Sequence, residues 1–397
     1  MSDHVLVINA GSSSLKYSVV DARTGEAAAA GLVERIGESQ SRQVHRSPAG
    51  ETESTRSIPT HEDALRGAID AFDSHGPSLA DLGIAAVGHR VVHGGSRFSA
   101  SALIDDALIA EVTDLVPLAP LHNPPNLEGI RVARRLFPDL PQVAVFDTAF
   151  HQTLPRQAYT YAVPLNWLED HGIRRYGFHG TSHAFVSREA ARLLGRDPAD
   201  VNVIVLHLGN GCSASAVRAG QSVETSMGLT PLEGLVMGTR SGDVDPAIPA
   251  YLTRELGMST DEIDRALNTA SGLKGLAGEN DFRELSRLRA QGDERADLAF
   301  DVYCHRIRKY VGAYYAVLGT VDAVVFTAGV GEHSAGVRAA SLSGLERLGI
   351  TIDDDRNNAS SAGARRISTD DSEVAVFVVP TNEEWQIARE TLSVVKP

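Results

Sequence analysis

Two arginines stand in glycine-rich surroundings: Arg90 shortly before Gly94-Gly95, and Arg240 within Met237-Gly238-Thr239-Arg240-Ser241-Gly242-Asp243. Glycines free the backbone at both places, so two loop-borne guanidinium forks could clamp one anion from two sides. Phosphoryl oxygens suit that bidentate geometry. Each arginine alone would more simply serve as a surface ion pair; the shared context favours the clamp. His179 lies between Gly177 and Gly180, just ahead of a helix-start signal at Gly180-Thr181-Ser182. A ring placed there can donate to a developing negative charge. Its i,i+4 spacing to His183 suggests zinc, but neither an H-E-x-x-H motif nor a cysteine cluster supports that. Asp147 follows the strand-like run 142–146 and presents a carboxylate at a strand end, or equally caps a turn. Glu383 falls in the first turn of a terminal helix, exposed at the end of a strand over 374–379, where its oxygen could hold Mg²⁺. Its neighbour Glu384 is accounted for by a capping box, Thr381-x-x-Glu384.

These side chains need elements to hold them. The chain opens on Val5-Leu6-Val7-Ile8, a buried strand, followed by the turn Asn9-Ala10-Gly11-Ser12-Ser13-Ser14-Leu15-Lys16 and an alternating strand. Small residues let backbone N–H groups approach an anion closely, and Lys16 adds charge. About 200 residues later the unit recurs: a strand over 201–206, then His207-Leu208-Gly209-Asn210-Gly211-Cys212-Ser213 and a second alternating strand. Two such copies predict a duplicated domain. Gly209–Ala214 formally matches a dinucleotide fingerprint, but a strand follows it where that fingerprint needs a helix. A third small-residue loop, 329–331, closes a strand over 321–326. No Walker-type G-x-x-x-x-G-K signature occurs.

The remaining pattern alternates strands with covering helices, an α/β class. The spacing predicts a hairpin at 47–50, a helix over 60–75 opened by Thr60 and Asp63, and a strand over 84–87. A loop over 117–125 precedes a helix over 126–137. Proline-punctuated residues 150–164 mark the domain boundary, giving domains of 1–150 and 151–383. Beyond it come helices over 183–194, 245–256, 260–267, 281–289 and 293–318, and a surface loop over 357–366.

Composition narrows the partners. The 397 residues are 43% apolar and 22% charged, as in ordinary globular proteins. A net charge of −14 argues against nucleic acid and against an anionic membrane surface. Two cysteines and no targeting or spanning segment lead to the expectation of a reducing, cytoplasmic setting.

Taken in order, the motifs resemble the acetate kinase family across essentially the whole chain. They are Asn9 to Lys16, Gly88-His-Arg-Val-Val-His-Gly-Gly95, Tyr176-Gly-Phe-His-Gly-Thr-Ser-His183, His207 to Gly211, Met227 to Asp243, and Thr381-Asn-Glu-Glu384. The resemblance implies the duplicated actin-like (ribonuclease H-like) fold, with mixed sheets flanked by helices. It also implies an active site in the interdomain cleft and a terminal helix (384–397) rejoining the first domain. A homodimer contacting through the second domain is expected on the same ground. The expected reaction is reversible, Mg²⁺-dependent phosphoryl transfer from ATP to acetate, giving acetyl phosphate and ADP, with Mn²⁺ as a substitute metal. By resemblance Asn9 and Glu383 hold the metal and Lys16 contacts phosphate. Arg90 binds the carboxylate or acetyl phosphate, Arg240 and His179 stabilise the transferring group, and Asp147 is the catalytic acidic residue. Val92, Leu121, Phe178 and Pro231 form the acyl pocket. The nucleotide falls to His207, Leu208, Gly209, Asn210 and Gly211, to Asp281, Phe282 and Arg283, and to Gly329, Val330, Gly331, Glu332 and His333. The last loop departs from the family's Gly-Gly-Ile-Gly-Glu-Asn, reading Ala328-Gly-Val-Gly-Glu-His333 here. Two other readings stand beside this one: a propionate- or butyrate-type acyl kinase, and an ATP-gated binding module of actin or chaperone type.

Overall fold

The computed structural model describes residues 3–361 and 363–396. Met1 and Pro397, at the ends of the expected domains, and Ala362 of the expected 357–366 loop lie outside the described residues. The chain divides into two units, Met1–Gln152 with Asn382–Pro397, and Thr153–Thr381.

The first unit is built on β1 (His4–Ala10), β2 (Ser14–Asp21), β3 (Ala27–Glu34), β4 (Ser41–Ser47), β5 (Gly50–Arg56), β6 (Ala86–Val91), β7 (Ala102–Leu103) and β8 (Gln142–Phe146). They lie in the order β5-β4-β3-β2-β1-β6-β8-β7. β1 pairs antiparallel with β2, setting Asn9 opposite Lys16, and parallel with β6. Side chains alternate across a strand, so β1 feeds two cores. Leu6 and Ile8 join the cluster under helix His61–His75, while Val5 and Val7 pack with Ile387 and Ala388 of the terminal helix Glu383–Val395. Gly88 allows that helix to come close, because a Cβ there would sit 2.4 Å from Thr391 Oγ1.

The second unit carries β9 (Asn202–Leu208), β10 (Cys212–Arg218), β11 (Gln221–Thr225), β12 (Ala323–Thr327), β13 (Arg365–Arg366) and β14 (Ala375–Val378), in the order β11-β10-β9-β12-β14-β13. β9 is antiparallel to β10 and parallel to β12, which is parallel to β14. The same arrangement runs through β3-β2-β1-β6-β8, so the repeated hairpin marks a repeated sheet. Mixed sheets with covering helices make both units α/β.

Several boundaries differ from the sequence expectation. β6 extends through Gly88-His89-Arg90 to Val91, so Arg90 lies on a strand rather than a loop. Pairing with β1 and β8 overrides the glycine, and Gln142 bonds His89 at 2.9 Å. The helix expected from 126 begins at Asn123, since Pro124 and Pro125 fit a first turn that needs no N–H donors. Residues Ala328–His333 form a short helix rather than a loop. The capping box at Thr381 is not formed: Asn382 caps the terminal helix through Trp385 N. The surface loop over 357–366 is also shorter than expected, because Asn357 belongs to helix Asp354–Asn358 and is buried.

Candidate active site

In the first unit, strand ends bring acids and bases together. Arg90 donates through Nε to Asp147 Oδ1 (3.0 Å) and through Nη2 to Oδ2 (2.6 Å). Asp147 is 1% exposed, held by its own N–H to Val91 O at 2.9 Å. Burial works against the charge on Arg90, but Asp147 and then Glu383 keep it firmly protonated. Asn9, Lys16, Arg90, Glu383 and Glu384 line one small recess. Burial pushes the Glu383 carboxyl up against the pull of Arg90, and Asp147 and Glu384 add to the rise. Glu383 is half-buried rather than exposed. Glu384 pairs with Lys16, which outweighs burial and holds its carboxyl below the usual range. Its partner is thus a lysine, not the backbone of a capping box.

Behind these groups, buried Asn126 ties two strand ends together. It accepts from Val92 N at 3.0 Å and donates to Ala10 O at 2.7 Å. Nothing in its spacing singled it out. Val92 is half-buried, and Leu121 is 64% exposed.

In the second unit, the turn between β9 and β10 is closed by Gly209 N donating to Gly211 O at 3.1 Å. Gly238 lies close beside it: a Cβ there would come within 2.1 Å of Asn210 Oδ1 and displace that side chain. Arg240, two residues on, donates to Pro231 O at 3.2 Å. Burial lowers its pKa, and among the described residues no carboxylate pairs with it. His179 ends the segment before helix Gly180–Leu194 with φ of 56°, a left-handed conformation costing on the order of 1 kcal/mol. That backbone lays its ring on His207, centroids 4.2 Å apart, with Nδ1 2.8 Å from Ser213 Oγ. Phe178 is buried. His179 and Arg240 converge on Gly211, where a Cβ would meet His179 Nε2 at 3.5 Å and Arg240 Nη1 at 3.6 Å.

A cavity of about 380 Å³ opens nearby, within the range of small-molecule sites. Gly209, Asn210, Asp281, Phe282, Arg283, Gly329, Val330 and His333 line it, as do Ser286 and Ser334, which the motifs did not flag. The other expected nucleotide residues sit elsewhere. His207 stacks on His179, Leu208 is buried in β9, and Gly211 faces His179 and Arg240. Gly331 and Glu332 turn their carbonyls to Arg338, whose Nη1 donates to both at 2.9 Å. Arg338 also reaches Asn357 Oδ1 at 2.7 Å, and burial pushes its guanidinium down to about 10. No motif announced it.

Comparisons with known proteins agree with one another. The model of the acetokinase family matches residues 4–389. An acetate kinase of Streptomyces coelicolor is 60% identical over 396 residues, covering 99% of this chain and 97% of the relative. Among solved structures, Porphyromonas gingivalis acetate kinase superposes with a TM-score of 0.94 at 43% identity, covering 99% of this chain and all of that one. A Francisella tularensis propionate kinase gives 0.93 at 44%, with the same coverage.

Proposed function

The chain belongs to the acetokinase family, and from that premise we propose how its residues carry the reaction. The activity is that of an acetate kinase, a phosphotransferase with a carboxyl group as acceptor. ATP and ADP are the nucleotide co-substrates. An acetate oxygen attacks the γ-phosphorus in line; the new O–P bond forms as the bond to the β-phosphate oxygen breaks, and ADP departs with that electron pair. A carboxylate is already a nucleophile, so the barrier lies in bringing two anions together and in the charge on the equatorial oxygens.

The observation that carries this reading is Arg240: a half-buried guanidinium, beside His179, with no carboxylate of its own among the described residues. Even a partly buried cation without a counter-ion carries a desolvation cost that an arriving anion offsets. Arg240 and His179 take the transferring group, and the cavity lined by Phe282, Val330 and His333 takes the nucleoside. Arg90, oriented by Asp147, receives the acyl anion. Val92, Leu121, Phe178 and Pro231 are the apolar residues assigned to its methyl by the family resemblance. Lys16 leaves Glu384 for a phosphate oxygen. We read the two units as the two domains.

Asn9 and Glu383 share the first unit's recess, and an amide oxygen with a carboxylate is a hard donor set suited to Mg²⁺, or Mn²⁺ in its place. Among the described residues no group of three or more His, Cys, Asp or Glu side chains is placed to hold a metal ion. When bound, the metal supplies charge neutralisation to the phosphates.

A homodimer through the second unit is expected from the family resemblance. Buried, unpaired Cys212 and Cys304 fit a cytoplasmic setting. No described helix is long and apolar enough to cross a membrane. The likeness to a propionate kinase favours one further reading, a site that also accepts a longer acyl chain. ADP release measured across formate, acetate, propionate and butyrate tests both; release independent of any carboxylate would contradict the assignment.

A further inference from the structure

Ser213 is fully buried on β10, and its hydroxyl is shared by two histidines. Oγ lies 2.8 Å from His179 Nδ1 and 2.8 Å from His183 Nε2. A hydroxyl has one proton to give, so between two ring nitrogens it donates to one and accepts from the other. Two arrangements satisfy that rule. In one, His183 donates to Ser213 and Ser213 to His179; in the other, the direction is reversed.

The surroundings of His179 separate them. Its Nε2 edge faces Gly211, on the same side as the Arg240 guanidinium. A second positive charge beside that cation is disfavoured, and with a single proton on the ring the two directions differ in which nitrogen holds it. With the reversed direction that proton sits on Nδ1, and Nε2 turns a lone pair towards the place where an anion must pair with Arg240. The forward direction leaves Nε2–H as a donor at that place.

We infer that Ser213 and His183 are positioning residues that set the tautomer of His179. His183 Nε2–H donates to Ser213 Oγ, and Ser213 O–H donates to His179 Nδ1, so that the His179 proton rests on Nε2. Helix Gly180–Leu194 fixes the spacing, because His179 precedes its first turn and His183 stands one turn along, bonded through its N–H to His179 O at 2.9 Å. The arrangement resembles the outer partners that orient catalytic or metal-bound histidines in other proteins. This inference rests on reading His179 as the donor to the transferring group.

The test is nitrogen-15 spectroscopy of the histidine rings in the full-length protein, with kinetics of Ser213→Ala and His183→Gln. The wild type is expected to carry the His179 proton on Nε2. Ser213→Ala is expected to mix the two tautomers and to lower kcat about 10–100-fold, with KM for ATP and acetate within about twofold. His183→Gln keeps an N–H donor towards Ser213 and is expected to retain the tautomer and most of kcat. A His179 proton on Nδ1 in the wild type overturns the relay. So does an unchanged tautomer and kcat in folded Ser213→Ala. If the tautomers are as expected while His179→Ala turns over normally, the relay stands and the reading of His179 as donor falls.

Discussion

Arg90 on β6 and Asp147 beyond β8 meet in a two-pronged ion pair, Nε to Oδ1 at 3.0 Å and Nη2 to Oδ2 at 2.6 Å. The carboxylate fixes the plane of the guanidinium and neutralises it in a buried place, leaving its remaining N–H groups to a substrate. Asp147→Ala should then do two things. It removes the nearest counter-ion of the half-buried Arg90, costing on the order of 2 kcal/mol in urea unfolding, and it lowers kcat by about 10²–10³ through a misplaced Arg90. Asp147→Asn, which keeps one acceptor, should fall between this variant and the wild type on both measures.

His89, the neighbour of Arg90, limits stability in acid. Burial holds its ring down to about 4, against the opposing pull of the hydrogen bond to Gln142. The unfolded chain takes up this proton near pH 6.5 while the folded one resists. Its contribution is therefore complete above that pH and is lost as pH falls towards about 4, at most about 3 kcal/mol. Urea titrations at pH 7 and pH 4.5 should differ accordingly. His89→Asn should flatten the difference, and an equal slope in that variant would place the acid sensitivity elsewhere.

Removing the Glu383 carboxylate tests the metal assignment. With Glu383→Gln, half-saturation by Mg²⁺ should need about tenfold more ion or worse, while chelation should abolish turnover in both proteins. An unchanged Mg²⁺ titration would move the metal away from the Asn9–Glu383 recess.

Acyl selectivity should be modest. One methylene against an apolar wall is worth about 1–3 kcal/mol, so propionate should be used with kcat/KM roughly 10–200-fold below that of acetate. Pro231→Ala should narrow the gap. A preference for propionate over acetate would favour the longer-chain reading.

Much of this arrangement is legible in the residues alone, because it rests on local chemistry. The turn from Asn9 to Lys16 and its copy from His207 to Ser213 need only small residues between apolar strands, and the sheets repeat as the turns do. The features that local pattern does not carry depend on distant partners. Arg90 looked like a loop residue because Gly88 and charge suggest one, whereas pairing with β1 and β8 and neutralisation by Asp147 keep it in a strand. Glu384 looked like a cap because its true partner, Lys16, is far along the chain. Ala328–His333 looked like a loop because its glycines hide a helical turn that Arg338 holds by two carbonyls. Arg338 and Asn126 left no local trace, since their value lies in which backbone groups they reach.

The central claim concerns Arg240, and its most direct test is acetyl phosphate formation by Arg240→Ala, measured beside its thermal midpoint. A half-buried cation without a carboxylate partner adds little or nothing to stability, so removing it should leave the midpoint unchanged or raised. Turnover should nonetheless fall by about 10²–10³. Near-normal turnover would contradict the account, as would a lost fold that alone explained the lost activity.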